Sequence, residues 1–425
     1  MHHISKPVES SPPQPLMQPH VPADVHQRIH PGVLSLAVSA FAIGVAEFLV
    51  VGVLPAIAKD LAVSLEAAGT LVSLYALALA LGTPFLVIGL SRLPHKTVLL
   101  GLMTLFLMGN LVAALSSNYV VLLFGRIVTA VAHGAFFAIG ATVASSLVPK
   151  GQAGRAIAVM LAGLTLAMVI GVPLGSFLGN QQGWRLPFFA VAGLAVCGLL
   201  AILRWLPADL PVGGSGKFST QLAALGNPAI LTMMLVTTLG FGGSFAAFTF
   251  ITPILTDVTG FSAATASVLL IVFGIATFVG NLAGGRLISR FGWQRTLRIM
   301  LMLLALTQLV LALTLSFQWA TVIMLFVWGV CSFGMSPSLQ AGMLATAERY
   351  VPTAIDFASG LNISAFNIGI SLGAFAGSAL VSRGLMASTP WVGVVAAILA
   401  FVPLVWLERH VDKIVQSAVR AAVAD

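Results

Sequence analysis

Charge is what this sequence is shortest of. Asp, Glu, Lys and Arg make up 8% of its 425 residues, against 59% hydrophobic residues, and the mean hydropathy is +1.05. Charges this sparse do not cover a water-soluble globule, so most of the surface has to face lipid. Cysteine is almost missing, and Cys197 and Cys331 both sit in apolar blocks, the setting of packing residues and not of a disulfide framework. Period-two alternation is missing too, which excludes a membrane barrel; apolar blocks of roughly 20 to 29 residues cross a bilayer as helices. The first block is long and lacks a small-residue cleavage site, so it reads as a retained anchor and not a signal peptide.

Metal-ligand clusters and nucleophile motifs are lacking from the loops, so no enzyme is expected, no cofactor and no metal. The stretch Gly213-Gly214-Ser215-Gly216-Lys217-Phe218 has the wrong glycine spacing for a phosphate loop and puts Phe218 where Ser or Thr is needed. ATP-driven transport is disfavoured with it. The net charge of +8 does not imply nucleic acid, because the basic residues fall between apolar blocks instead of forming a patch. His2, His3, His20, His26 and His30 lie among prolines in a polar leading segment that reads as a disordered tail without regular metal-ligand spacing.

What is present is a series of twelve apolar spans near 32–57, 67–90, 97–116, 119–148, 156–180, 186–206, 228–256, 263–288, 296–316, 319–347, 357–382 and 388–407. Two of the uncharged stretches are too long for one crossing and hold polar turns, Ser116-Ser117-Asn118 and Ser316-Phe317-Gln318, so each is a hairpin. With the amino terminus inside, sixteen of the twenty Lys and Arg lie in cytoplasmic segments; Lys59, Arg185 and Arg383 lie outside and Arg126 within a span. That asymmetry puts both termini in the cytoplasm.

A constant offset of 198 relates the halves, pairing Pro55 with Pro253, Ser64 with Ser262, Gly82 with Gly280, and Gly171, Gly175 and Gly179 with Gly369, Gly373 and Gly377. The domain reading is a tail at 1–31, six helices at 32–206, a Gly- and Pro-rich linker at 207–227, six helices at 228–407 and a tail at 408–425. Parallel six-span repeats place a shared site at their interface near mid-membrane, which points to a transporter.

Several motifs make the chain similar to the major facilitator superfamily, in particular its twelve-span drug/proton antiporter branch of arabinose-type and chloramphenicol-type efflux proteins. They are Ala46-Glu47-Phe48 with Gly52-Val53-Leu54-Pro55, Arg126 with Ala132-His133-Gly134, Gly171-Val172-Pro173-Leu174-Gly175, and Asn362, Asn367 and Gly369. The resemblance implies an all-α integral membrane fold of twelve helices in two six-helix halves. It also implies proton-driven efflux of a drug or sugar from a bacterial inner membrane. Gly171, Pro173 and Gly175 stand at its antiport-type motif, although the proline lies one residue later than usual. Gly82, Arg92 and Lys96, with Gly280 and Arg290 in the second half, stand at its cytoplasmic loop motif, where Ser91 and Ser289 occupy the place of the usual Asp.

Only Glu47 and Arg126 are ordinarily charged residues deep inside the spans, where charge is costly unless it faces a partner or a cavity. At 1.5 Å per residue both lie about 12 to 15 Å from the outer helix ends, so they are expected to meet. Glu47 then either carries the coupling proton or forms a static pair with Arg126. His133, seven residues after Arg126 and near the same helix face, either relays protons or serves as a buried hydrogen-bonding group. Tyr75, Asn281, Asn362 and Asn367, with Phe245 and Phe248, are candidates to line a substrate cavity or to hold helices together. Protons, a small molecule and lipid are the expected partners of a monomer; uptake, or a sensor that binds without transport, are the rival readings.

Overall fold

The computed structural model describes residues 29–90, 93–149, 153–208, 210 and 224–409. Helix α1 spans Pro31–Asp60, α2 Leu65–Leu90, α3 His95–Ala114 and α4 Tyr119–Ser146. Helix α5 joins Ala153–Leu166, a π-helical turn Ala167–Gly171 and Val172–Gln182, and α6 is Arg185–Trp205. Helix α7 begins as Pro228–Gly242 and continues through Phe245–Phe248 and Ile251–Pro253 to a π turn at Ile254–Val258. Helices α8 and α9 are the two limbs of Ala263–Thr314, parted at Gly292, whose φ of 77° lies in the left-handed region that favours glycine. Helix α10 joins Gln318–Gly334 to Ser336–Tyr350, α11 is Ile355–Val381, and α12 occupies Met386–Arg409.

Ten of these stretches are long and apolar enough to cross a bilayer when Ala263–Thr314 counts once; its two limbs, together with the apolar Pro228–Gly242, bring the crossings to the expected twelve. Both hairpins are in place, with α3 ending at Ala114 before α4 starts at Tyr119, and α9 ending at Thr314 before Gln318. The local starts follow capping chemistry. Asn118 accepts from the Val121 N–H, Asn227 from Ala229 and Ile230, and Ser262 from Thr265. His30, read from sequence as part of the tail, caps α1 instead, its Nδ1 accepting from the Gly32 N–H at 3.1 Å. The rest of that tail, the Gly-rich part of the linker, Ser91, Arg92 and the last sixteen residues lie outside the described residues.

Within the first half α1 packs on α5 and α6, α3 on α4 and α6, and α2 on α4; within the second, α7 packs on α11 and α8 on α10. The halves meet along three seams: α2 on α11, α5 on α8, and α1 on α7. Two hydrogen bonds across these seams end on carbonyls that prolines have released. Pro55 lacks an N–H, so the Val51 carbonyl one turn earlier has no helical donor and accepts from Thr252 Oγ1 of α7 at 2.9 Å. Pro84 does the same for Ala80, whose carbonyl accepts from Ser364 Oγ of α11 at 3.2 Å. At the α5–α8 seam Ser176 Oγ lies 3.0 Å from Ser267 Oγ and donates to the Gly52 carbonyl, which Asn180 also approaches.

The α5 glycine face lies on α1, with Gly171, Gly175 and Gly179 against Val45, Leu49 and Val53; the equivalent α11 face puts Gly369 and Gly373 on Gly242 and Gly377 on Ala246 of α7. Close helix approach through small residues is the packing mode of bilayers, where no water drives association. Pro173 follows the π turn in α5, where the Val172 N–H reaches back five residues to Ala167. The extra residue accommodates the ring and the lost donor. Large apolar side chains such as Phe85, Trp319 and Val402 cover the outside of the bundle.

Two adjacent glycines separate packing from propensity. A Cβ on Gly284 would run into the backbone of Gly334 in α10, whereas one on Gly285 meets nothing within 4 Å. Gly284→Ala is expected to cost about 1 to 3 kcal/mol and to lower the thermal unfolding midpoint of the purified protein. Gly285→Ala is expected to leave the midpoint unchanged or to raise it, the folded state gaining at most about 1 kcal/mol. Equal midpoints for both variants would mean that α8 and α10 are not in this contact.

Candidate functional site

The buried titratable residues of the first half converge where α1, α2 and α4 meet. Arg126 of α4 is 1% exposed. Its Nη1 donates to the Ala46 carbonyl at 2.5 Å and its Nη2 to the Glu47 carbonyl at 3.2 Å. The guanidinium carbon lies 3.9 Å from the centre of the Tyr75 ring on α2. The Tyr75 hydroxyl in turn is hydrogen-bonded to His133 Nδ1 at 2.9 Å, and the His133 ring leans on Phe137 at 5.0 Å between centroids. Glu47, Arg126, Tyr75 and His133 therefore form one connected line across three helices.

Glu47 and Arg126 do meet at one depth, but not as an ion pair. The ion pairs within 4.0 Å among the described residues are Arg185–Asp60 and Arg298–Glu408. Arg126 is instead held by α1 backbone and by the Tyr75 face, and its Nε–H has no hydrogen-bond partner among the described residues. A planar fork of donors suits two successive carbonyls and a ring face at once, which a point-like ammonium does not. Glu47 as a whole residue is half-buried. His133 sits two turns along α4 from Arg126, as its spacing implied; that Tyr75 bridges the two was not readable, because Tyr75 lies in another helix.

The other sequence candidates divide. Phe245 and Phe248 are buried in a cluster of rings that crosses the α1–α7 seam, where Phe48 and Phe248 lie 6.2 Å apart, edge to face. Asn362 is fully buried and spent on helix contacts: it accepts from Thr237 Oγ1 at 2.7 Å and donates to Gln340 Oε1 at 2.8 Å, while Gln340 Nε2 donates to Ser359 Oγ at 2.6 Å. Asn367 donates to the Ile363 carbonyl of its own helix, and its Oδ1 is buried without a partner among the described residues. Asn281 is half-buried on α8.

The residues ascribed to the basic loops serve helix packing where they are described. Gly82 and Gly280 lie inside α2 and α8, against Val131 of α4 and the Val330 carbonyl of α10. Lys96 Nζ donates to the Leu203 and Leu206 carbonyls at 3.1 and 2.6 Å, capping the end of α6 with a cation. Arg290 rests near the Phe291 ring. The spacing had also hidden a clasp at the opposite end of the bundle: Asp60 accepts from Trp184 Nε1 and Arg185 Nη1, and Arg185 donates to the Ser116 carbonyl.

The family follows from this architecture and its sequence. A family model described as the Major Facilitator Superfamily matches residues 36–353. The chain belongs to the Major Facilitator Superfamily. Among curated relatives of this superfamily it is 40% identical to an uncharacterized MFS-type transporter, YtbD, of Bacillus subtilis, over 85% of this chain and 91% of that one. It is 37% identical to the inner membrane transport protein YdhP of Escherichia coli K12, over 88% and 95%. It is 36% identical to a chloramphenicol resistance protein of Streptomyces lividans, over 80% and 86%. Among solved structures it resembles a D-xylose–proton symporter, with a TM-score of 0.70 and 14% identity over 87% of this chain and 96% of that one, a likeness of fold. The chain is thus a multi-pass membrane protein and a secondary transporter of this superfamily, in the branch its motifs resemble.

Because Arg126 is held by carbonyls, Glu47→Gln is expected to change the stability of the purified protein by no more than about 0.5 kcal/mol, leaving its thermal midpoint near that of wild type. Arg126→Leu strands two carbonyl contacts and a ring face and is expected to lower stability by more than about 2 kcal/mol. An equal loss for both variants would indicate that a carboxylate–guanidinium pair holds the site together after all.

Proposed function

We propose that this protein exports a small organic molecule from a bacterial cell in exchange for protons. On this reading the halves at 32–206 and 228–407 rock about a shared central site, as a monomer in the inner membrane with both termini cytoplasmic. The observation that carries it is the line from half-buried Glu47 through Arg126 and Tyr75 to His133, buried inside a transporter of this superfamily. Arg126 needs no carboxylate to keep its place, so Glu47 is free to change its charge without dismantling the site. A carboxyl that gains a proton when open to one side and loses it when open to the other couples the gradient to the swing of the halves. The Tyr75–His133 hydrogen bond adds a second exchangeable proton on the same line. Export, in preference to uptake, is supported by the Streptomyces lividans relative named for chloramphenicol resistance, and the inner membrane by the name of the Escherichia coli relative.

The test is accumulation of labelled amphenicols, sugars and nucleosides in an efflux-deficient bacterium expressing wild type or Glu47→Gln, with and without a protonophore. Wild type is expected to lower accumulation of at least one compound severalfold, and either perturbation to abolish the difference. Accumulation raised by the protein would establish uptake, and export that survives Glu47→Gln would remove the carboxyl from the coupling step.

A further inference from the structure

The internal repeat makes a comparison that neither half permits alone. At the offset of 198, Glu47 corresponds to Phe245 and Tyr75 to Phe273. The stretches of α10 in register with Arg126 and His133, residues 324–325 and 331–332, read Met-Leu and Cys-Ser. Stretches 228–256, 263–285, 318–347 and 357–382, which make up most of α7, α8, α10 and α11 and stop short of Arg286, Glu348 and Asp356, contain no Asp, Glu, Lys, Arg or His. Where the first half places its titratable line, the second places rings.

Those rings are ordered around one buried member. Phe241 of α7 meets Phe366 of α11 at 4.8 Å and 88°, and Phe333 of α10 at 5.5 Å and 79°. Phe241 is 5% exposed, whereas Phe333 and Phe366 remain half-buried. Behind Phe333 lies Phe273 and beside that Trp328, which is fully buried with its indole N–H unpartnered among the described residues. A polar rim continues the same faces: Gln340 lies seven residues beyond Phe333 on α10, and Asn362 four residues before Phe366 on α11. The two amides are bonded to each other and Gln340 also donates to Ser359, and Gln340 and Ser359 are half-buried, as the two phenylalanines are.

We propose that Phe333 and Phe366, backed by Phe241, seat an uncharged aromatic ring of the transported molecule, whose hydroxyl- or amide-bearing tail lies along Gln340 and Ser359. A ring there gains edge-to-face partners on two helices. A charged group would find no counter-charge within those four stretches. The neutral amide and hydroxyl offer both donors and acceptors to a polar tail. The halves thus divide the work, protons against α1, α2 and α4 and the substrate ring against α7, α10 and α11. This inference rests on the transporter reading and names the substrate class of its site.

The test is equilibrium binding to the full-length protein in nanodiscs, without a proton gradient, of labelled chloramphenicol, an uncharged nitrophenyl compound with a hydroxyl- and amide-bearing tail, alongside labelled D-xylose. Saturable binding of the aromatic probe alone is expected, and Phe333→Ala or Phe366→Ala weakens it about tenfold or more. Phe375→Ala, on an exposed face of α11, is expected to bind as wild type does, and thermal midpoints check that every variant is folded. Absence of saturable aromatic binding, preference for D-xylose, or unchanged affinity in both ring variants overturns the seat. Intact ring-dependent binding without proton-driven flux would instead count against the exporter reading and leave the seat in place.

Discussion

Every backbone N–H and C=O inside a bilayer has to find its partner within the protein, and this structure is arranged around the places where a helix fails to supply one. Pro55 and Pro84 each release a carbonyl one turn earlier, and both released carbonyls are taken by hydroxyls from the opposite half, Thr252 and Ser364. A sequence feature that would weaken a helix in isolation becomes a joint between halves. Pro173 follows a turn wound one residue wider, so its missing donor is absorbed within α5.

The helices come close enough for such joints because glycine lines their contacts. Gly171, Gly175 and Gly179 set α5 on α1, and Gly369, Gly373 and Gly377 set α11 on α7. Helix α11 also packs on α2, and α5 on α8. The glycine-bearing helices are therefore the ones that carry each half to the other, and a motif associated by resemblance with antiport is at the same time a packing surface.

Symmetry of the backbone does not extend to chemistry. The site is polarised, with Glu47, Tyr75, Arg126 and His133 on one half facing a second half that has Phe245 and Phe273 at equivalent positions. Arg126, the deeply buried guanidinium among the described residues, gains its place from α1 carbonyls and the Tyr75 ring, while Glu47 near it is half-buried as a residue.

Much of this was legible in order and depth. Twelve crossings, two hairpins at Ser116 and Gln318, the repeat, and the meeting of Glu47 with Arg126 at one level all follow from hydropathy, helix rise and the positions of charges along the chain. Partners were not legible. Asn362, equally a cavity or a packing candidate by sequence, is consumed by Thr237 and Gln340; Gly82 and Gly280, read as the start of loop motifs within spans 67–90 and 263–288, meet Val131 and Val330; and of the alternatives left open for Glu47, the static pair with Arg126 gives way to two carbonyls. The linear pattern sets how deep a residue lies and on which face of its own helix. Which atom of a neighbouring helix it meets depends on crossing angle, rotation and the close approach that glycine permits, and those are decided only when all the helices pack together.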